Sequence, residues 1–134
     1  MRQSLMYIPL LCFGLSAAAQ ELDYKTVDEK SYEYFLNEQW NDLIEIAEKA
    51  NEQGIDYHYL QTRLGTAYFK KAKYRKAAKV FKKALESNKS SSYAQEYYYY
   101  SLLYGGDARA ARLVAAKFGE QFQASVDEKK SDWL

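Results

Sequence analysis

The sequence predicts an all-α fold, and three observations carry that reading. Apolar residues recur at helical spacing: Tyr74, Ala77, Ala78, Phe81, Ala84 and Leu85 follow the i, i+3, i+4, i+7 rule, with Arg75, Lys76, Lys79, Lys82 and Lys83 on the opposite face. No segment shows the period-2 alternation of a half-buried strand. Breaks fall at Gly54 within EQGID, around Ala72, at NKSSS (88–92) and at GGD (105–107), and they punctuate six helices of about 12–15 residues.

Taken in order, the chain of 134 residues is long enough for one small domain. Residues 1–19 are expected to stand outside it. Met1-Arg2 is a short positive start, Leu5 to Leu15 is an apolar run of about 11 residues, and Ala17 and Ala19 supply small residues before Gln20. That order reads as a secretory signal peptide cleaved after Ala19. A membrane-spanning helix needs about 20 apolar residues, and Pro9 interrupts this run. A lipid anchor on Cys12 would need a small residue before it, where Leu10-Leu11 stand. The expected localisation is therefore the periplasm or cell envelope, or secretion.

Cleavage would remove the single Cys and the single Pro. The remaining chain has no thiol for a disulfide, a thiolate metal site or a nucleophile, so stability must come from the apolar core. It carries 18 basic and 18 acidic residues, a balance that argues against nucleic acid as partner. The charges are segregated, however. Gln20 to Asp56 holds 11 acidic and 3 basic residues, and Tyr57 to Ser92 holds 10 basic and 1 acidic.

Within the domain, Trp40, Leu43, Ile44, Ala47 and Ala50 form one apolar stripe against Asp42, Glu45, Glu48 and Glu52. Asp56, Ser92 and Asp107 are expected as N-caps, Ser92 with Gln95 as a capping box. Gly65 lies inside a helical pattern, where it costs roughly 1 kcal/mol relative to Ala. Its retention there, with Ala77 and Ala84 on the facing helix, predicts close approach between helices. Beyond Gly119, Glu120 to Leu134 reads as a seventh helix whose Phe122, Val126 and Trp133 would cover the preceding hairpin.

A repeat underlies this order. One constant shift carries Tyr34 to Tyr68, Phe35 to Phe69, Trp40 to Tyr74, Ala47 to Phe81 and Ala50 to Ala84. The same shift applied again carries Tyr68 to Leu102, Ala77 to Ala111, Phe81 to Ala115 and Ala84 to Phe118. A period of about 34 residues, with two helices per unit, resembles the tetratricopeptide-repeat family. The central unit, 58–91, is similar to that pattern at Leu64-Gly65, Tyr68, Tyr74, Ala77, Phe81 and Ala84, and departs from it at Gln61 and Lys89. The units at about 24–57 and 92–125 match mainly in their second helices, since Lys30-Ser31 and Tyr98-Tyr99 stand where the central unit has Leu64-Gly65. The resemblance implies a tetratricopeptide-repeat solenoid of three helical hairpins over 20–125, with 126–134 as a cap or the start of a further segment.

No catalytic constellation appears. His58 is the only His and has no Cys or carboxylate pair to complete a zinc site, and no GxSxG, HExxH or P-loop spacing occurs. No enzyme activity, cofactor or metal is expected. The basic run 70–83 reads as a solvated helix face, and the repeat pairs Asp42 with Lys76, Glu45 with Lys79 and Glu48 with Lys82 across adjacent units.

Tyrosine is the unusual residue: six of the 14 lie between Tyr93 and Tyr104. Tyr93, Tyr97, Tyr100 and Tyr104 share one helical face by their spacing, with Tyr98 and Leu102 toward the other. The resemblance implies that first helices of the units line a concave groove, which would hold Tyr59, Arg63, Thr66, Phe69 and Lys70 in the central unit and Tyr32, Phe35 and Leu36 in the first. Tyr offers large contact area with little entropy to lose. The expected function is thus a non-enzymatic scaffold whose Tyr59, Arg63, Phe69, Tyr93, Tyr97, Tyr100 and Tyr104 bind a peptide or protein. The alternative is an architectural part of a larger envelope protein, with the tyrosine face packed internally. The family's carboxylate clamp lacks its Asn here, which disfavours an acidic C-terminal peptide in that groove.

Overall fold

The structure is a computed structural model that describes residues 20–131. The expected signal segment, Trp133 and the end of the expected last helix lie outside the described residues. Among those described, the chain is all-α, with no strand. Its helices are α1 (Tyr24–Leu36), α2 (Trp40–Glu52), α3 (His58–Lys70), α4 (Tyr74–Ser87), α5 (Ser92–Tyr104), α6 (Ala108–Phe118) and α7 (Glu120–Ser131). Each packs on the next, and α3 also touches α1 and α5, so α1, α3 and α5 form one surface.

The turns inside the hairpins repeat atom for atom. After α1, Gln39 N–H donates to Tyr34 O at 2.8 Å; after α3, Lys73 N–H to Tyr68 O at 2.8 Å; after α5, Asp107 N–H to Leu102 O at 2.9 Å. In each turn the preceding residue takes a left-handed conformation: Glu38 at φ 55, Ala72 at φ 56 and Gly106 at φ 88. This six-to-one closure caps orphan carbonyls at a helix end. Glu38, Ala72 and Gly106 are evenly spaced along the chain, at the same interval that relates Tyr34 to Tyr68 and Tyr68 to Leu102. The break after Leu36 had no glycine to announce it, because Glu38 adopts the backbone shape for which glycine is the usual residue.

Two of the expected caps are corrected. Asp56 precedes the N-cap of α3, which is Tyr57, because its carboxylate is taken by Gln61 and Lys83. Ser91 rather than Ser92 caps α5, its hydroxyl accepting from Ala94 N–H at 3.3 Å, while Gln95 Nε2 donates to Lys89 O. Asp107 caps α6 as expected, accepting from Ala110 N–H at 2.9 Å. Asp23 does the same for α1, through Thr26.

The core forms two clusters. The larger gathers Val27, Ala47, Leu60, Leu64, Tyr68, Phe81 and Ala84 with other small apolar residues, and Phe81 is fully buried. Gly65 serves it directly: a Cβ there would stand 2.8 Å from the Phe81 ring. The close approach expected of Gly65 is therefore to an aromatic face across the hairpin. The smaller cluster holds Tyr99, Ala111, Ala115 and Val126, with Phe122 packed against it. Phe122 lies 5.7 Å from Tyr99 and 5.1 Å from Phe118, so α7 covers the last hairpin as its spacing predicted.

The expected ion pairs between α2 and α4 do not form. Among the described residues the pairs within 4 Å are Lys25–Glu29, Arg63–Asp28 and Lys83–Asp56. Glu48 instead accepts from the Tyr68 hydroxyl, and Lys76 lies 5.3 Å over the Tyr68 ring. A buried phenol between two helices captures Glu48 and Lys76, which the repeat pattern had assigned to Lys82 and Asp42.

A candidate binding cleft on the face of α1, α3 and α5

A cleft of about 340 Å³ opens where the first helices of the hairpins meet. Tyr32 and Phe35 line it from α1, Tyr59, Thr62 and Arg63 from α3, and Tyr93 from α5. Tyr59 and Arg63 are four residues apart, which puts both on one side of α3. Three rings stand out into solvent: Tyr59 is 66% exposed, Tyr32 50% and Tyr93 41%.

Arg63 is held, not free. Its Nη1 donates to Asp28 O at 3.1 Å, Asp28 Oδ1 at 2.8 Å and Ser31 Oγ at 2.9 Å, and its guanidinium lies 5.1 Å from the Tyr32 ring centre. It thereby clamps α1 to α3 and supports Tyr32 from behind. Tyr57 adds a second donor, its hydroxyl 2.9 Å from Asp28 Oδ1 while its ring packs on Tyr24. Partial burial raises the Asp28 pKa, but the hydrogen bonds from Arg63 and Tyr57 and the Arg63 charge outweigh it and leave the carboxyl below its ordinary value. Burial, helped by the Asp28 hydrogen bond, pushes the Tyr57 phenol up to about 12.

On the far side of the cleft, Tyr93 and Thr66 share a hydrogen bond of 2.7 Å, and Thr66 donates to Thr62 O at 2.8 Å. Burial pushes the Tyr93 phenol up to about 12. His58 places Nδ1 3.0 Å from Ala84 O, which leaves it a structural link between α3 and α4. No group of three or more His, Cys, Asp or Glu able to hold a metal occurs among the described residues.

The seven residues expected to bind a partner fall into two sets. Tyr59, Arg63 and Tyr93 come together in the cleft. Phe69, Tyr97, Tyr100 and Tyr104 continue along the same face as a ladder of rings. Phe69 lies 5.1 Å from Tyr97 and 5.9 Å from Tyr104; Tyr97 stacks on Phe81 at 5.5 Å, and Tyr104 on Tyr100 at 5.7 Å. Of these four only Tyr104 is exposed, at 52%.

Sequence reasoning missed two residues. Tyr99 is buried at the centre of the second cluster, at the place held by Gly65 one unit earlier. Gln61, where the central unit departs from the pattern it resembles, is 1% exposed and donates at 2.7 Å to both Asn51 Oδ1 and Asp56 Oδ1. The signal for Gln61 was present in the neighbouring Asn51 and Asp56, but only the fold brings them to one point. No helix among the described residues is long and apolar enough to cross a membrane. No protein-family model, curated protein or solved structure matches this chain.

Proposed function

We propose that this chain is an exported solenoid of the tetratricopeptide-repeat kind that works as a non-enzymatic scaffold, holding a peptide or protein on the face of α1, α3 and α5. The observation that carries the reading is the exposure of Tyr32, Tyr59 and Tyr93 around one cleft, with Arg63 fixed at its base. Large rings left in solvent on a rigid surface are the usual anchors of a protein interface. The turn that recurs at Glu38, Ala72 and Gly106 supports the repeat assignment. The export assignment rests on residues 1–19 alone.

The aromatic ladder favours the architectural alternative for its own stretch of the face. Phe69 and Tyr97 are already packed on the first core cluster, so they support the surface more than they offer it. A double variant Tyr32→Ala, Tyr59→Ala separates the two readings when tested for melting and for retention of a partner from envelope extract. Scaffold function predicts stability within about 0.5 kcal/mol of wild type and affinity about thirtyfold weaker. Unchanged retention by the double variant would sink the cleft as the binding site.

A further inference from the structure

A second groove lies on the other side of α5, between α4 and α6. Two adjoining cavities of about 510 and 390 Å³ share Lys82 and Tyr98 and so form one trough. Its floor is apolar, built from Tyr98, Leu102, Val114 and Phe118. Its rim is basic, with Arg75, Lys79 and Lys82 along α4, and Lys89 and Lys117 at the far end. None of these five cations has an ion pair within 4 Å among the described residues. Two carboxylates also border the trough, Glu86 and Asp107, and Asp107 is engaged in capping α6.

The repeat explains why this trough is open. One unit earlier, the matching joint between α2 and α4 is closed by Tyr68, which is 4% exposed, hydrogen-bonded to Glu48 and covered by Lys76. Moving one unit along the chain replaces Tyr68 by Leu102, Glu48 by Lys82, Lys76 by Ala110 and Ile44 by Ala78. The ring, its carboxylate acceptor and part of the wall are all gone. Ala67 becomes Ser101, whose hydroxyl borders the trough wholly buried and is the described buried side-chain polar atom with no hydrogen-bond partner.

We propose that this trough is a second binding site, taking an acidic peptide segment in which a carboxylate side chain adjoins an aromatic or aliphatic one. The first joint shows what fills such a space: a ring on the apolar floor and a carboxylate between the two outer helices. In the second joint the cations of α4 wait for that carboxylate, and the smaller Leu102 leaves room for the ring. The site is separate from the cleft on the opposite face.

Fluorescence polarisation with a labelled peptide alternating glutamate with tyrosine and leucine tests this. Saturable binding is expected, weakened about tenfold or more by Lys79→Glu, Lys82→Glu, whose charges face the ligand. Leu102→Tyr, which refills the space as Tyr68 does, is expected to weaken it as strongly, while Tyr59→Ala on the opposite face leaves it unchanged. Thermal melts accompany each variant; the exposed lysines keep the test valid where Leu102→Tyr fails to fold. Absent saturable binding, equal binding of the glutamine version of the peptide, or insensitivity to the lysine reversals would overturn the proposal. So would retention of phosphatidylglycerol vesicles in place of the peptide.

Discussion

The central hairpin and the one after it solve the same packing problem in opposite ways. In α3–α4 the first helix contributes nothing at position 65 and the second contributes Phe81, whose ring lies against the bare Gly65 backbone. In α5–α6 the first helix contributes Tyr99 and the second only Ala115, at the matching positions. Summed size across the pair is conserved, while the side that supplies it is exchanged. A repeat unit can thus look degenerate by its motif and still fill the same space from the other helix. The first hairpin has small residues at both places, Ser31 and Ala47, and there the polar reach of Arg63 to Ser31 takes part in the packing.

The largest test of this comparison removes the ring. Phe81→Ala is expected to cost about 3–5 kcal/mol, since Phe81 is fully buried. Gly65→Tyr alone should also destabilise, by overpacking against Phe81. The double variant, which writes the arrangement of α5–α6 into α3–α4, should recover part of the loss. Chemical denaturation of all three gives the coupling energy, expected at about 0.5–3 kcal/mol in favour of the pair. Additive losses would break the size-exchange account.

A pH titration sharpens it next. The phenols of Tyr57, Tyr68 and Tyr93, which surround the central hairpin, are all pushed above their ordinary value, first by burial. Unfolded phenols ionise near pH 10 and the folded ones resist, so the unfolded state releases protons first. Stability from these groups is full below about pH 10 and is lost as pH rises toward 12. Asp28 has the opposite sign: its lowered carboxyl pKa contributes stability above about pH 4, which is lost as pH falls further. The denaturation midpoint of wild type should therefore drop above pH 10, and Tyr93→Phe should drop less.

The smallest expected effect distinguishes the hairpins by their turns. Ala72 holds φ 56 where the last hairpin has Gly106 at φ 88. Ala72→Gly should stabilise by about 1 kcal/mol, because an L residue in that region carries a steric cost. Gly106→Ala should lose about as much. Paired melting curves read both, and a loss on Ala72→Gly would mean that the turn is fixed by something other than its backbone.

Part of this structure is visible in the sequence and part is not. The helix faces of α2 and α4, the cover of α7 over the last hairpin and the repeat period were legible because each depends on spacing along the chain. The three rings of the cleft were legible, since Tyr32, Tyr59 and Tyr93 stand on first helices at places where the resemblance leads one to expect a groove. What stayed hidden depends on a third residue. Glu48 turns to Tyr68 instead of to a lysine, Asp56 leaves its cap for Gln61 and Lys83, and Arg63 spends its charge on Asp28. Pairwise charge matching does not foresee a competitor that folding brings between the pair.

The division of the core has a consequence for how the molecule comes apart. α5 gives Ala94 and Tyr97 to the first cluster and Tyr99 to the second, so its two halves answer to different neighbours. Helices packed in chain order open as a sequence of blocks, each held mainly by its neighbours. Release of α6 and α7 strips Tyr99 of its cover and takes Phe118 from the edge of the first cluster, while the residues buried around Phe81 keep their neighbours in α1 to α5. The detached block carries its own apolar face, complementary to the surface that the same release leaves bare on α5. The seam in α5 is therefore the point at which two chains could trade their last helices, each remaking the Phe118 contact on the other's first cluster.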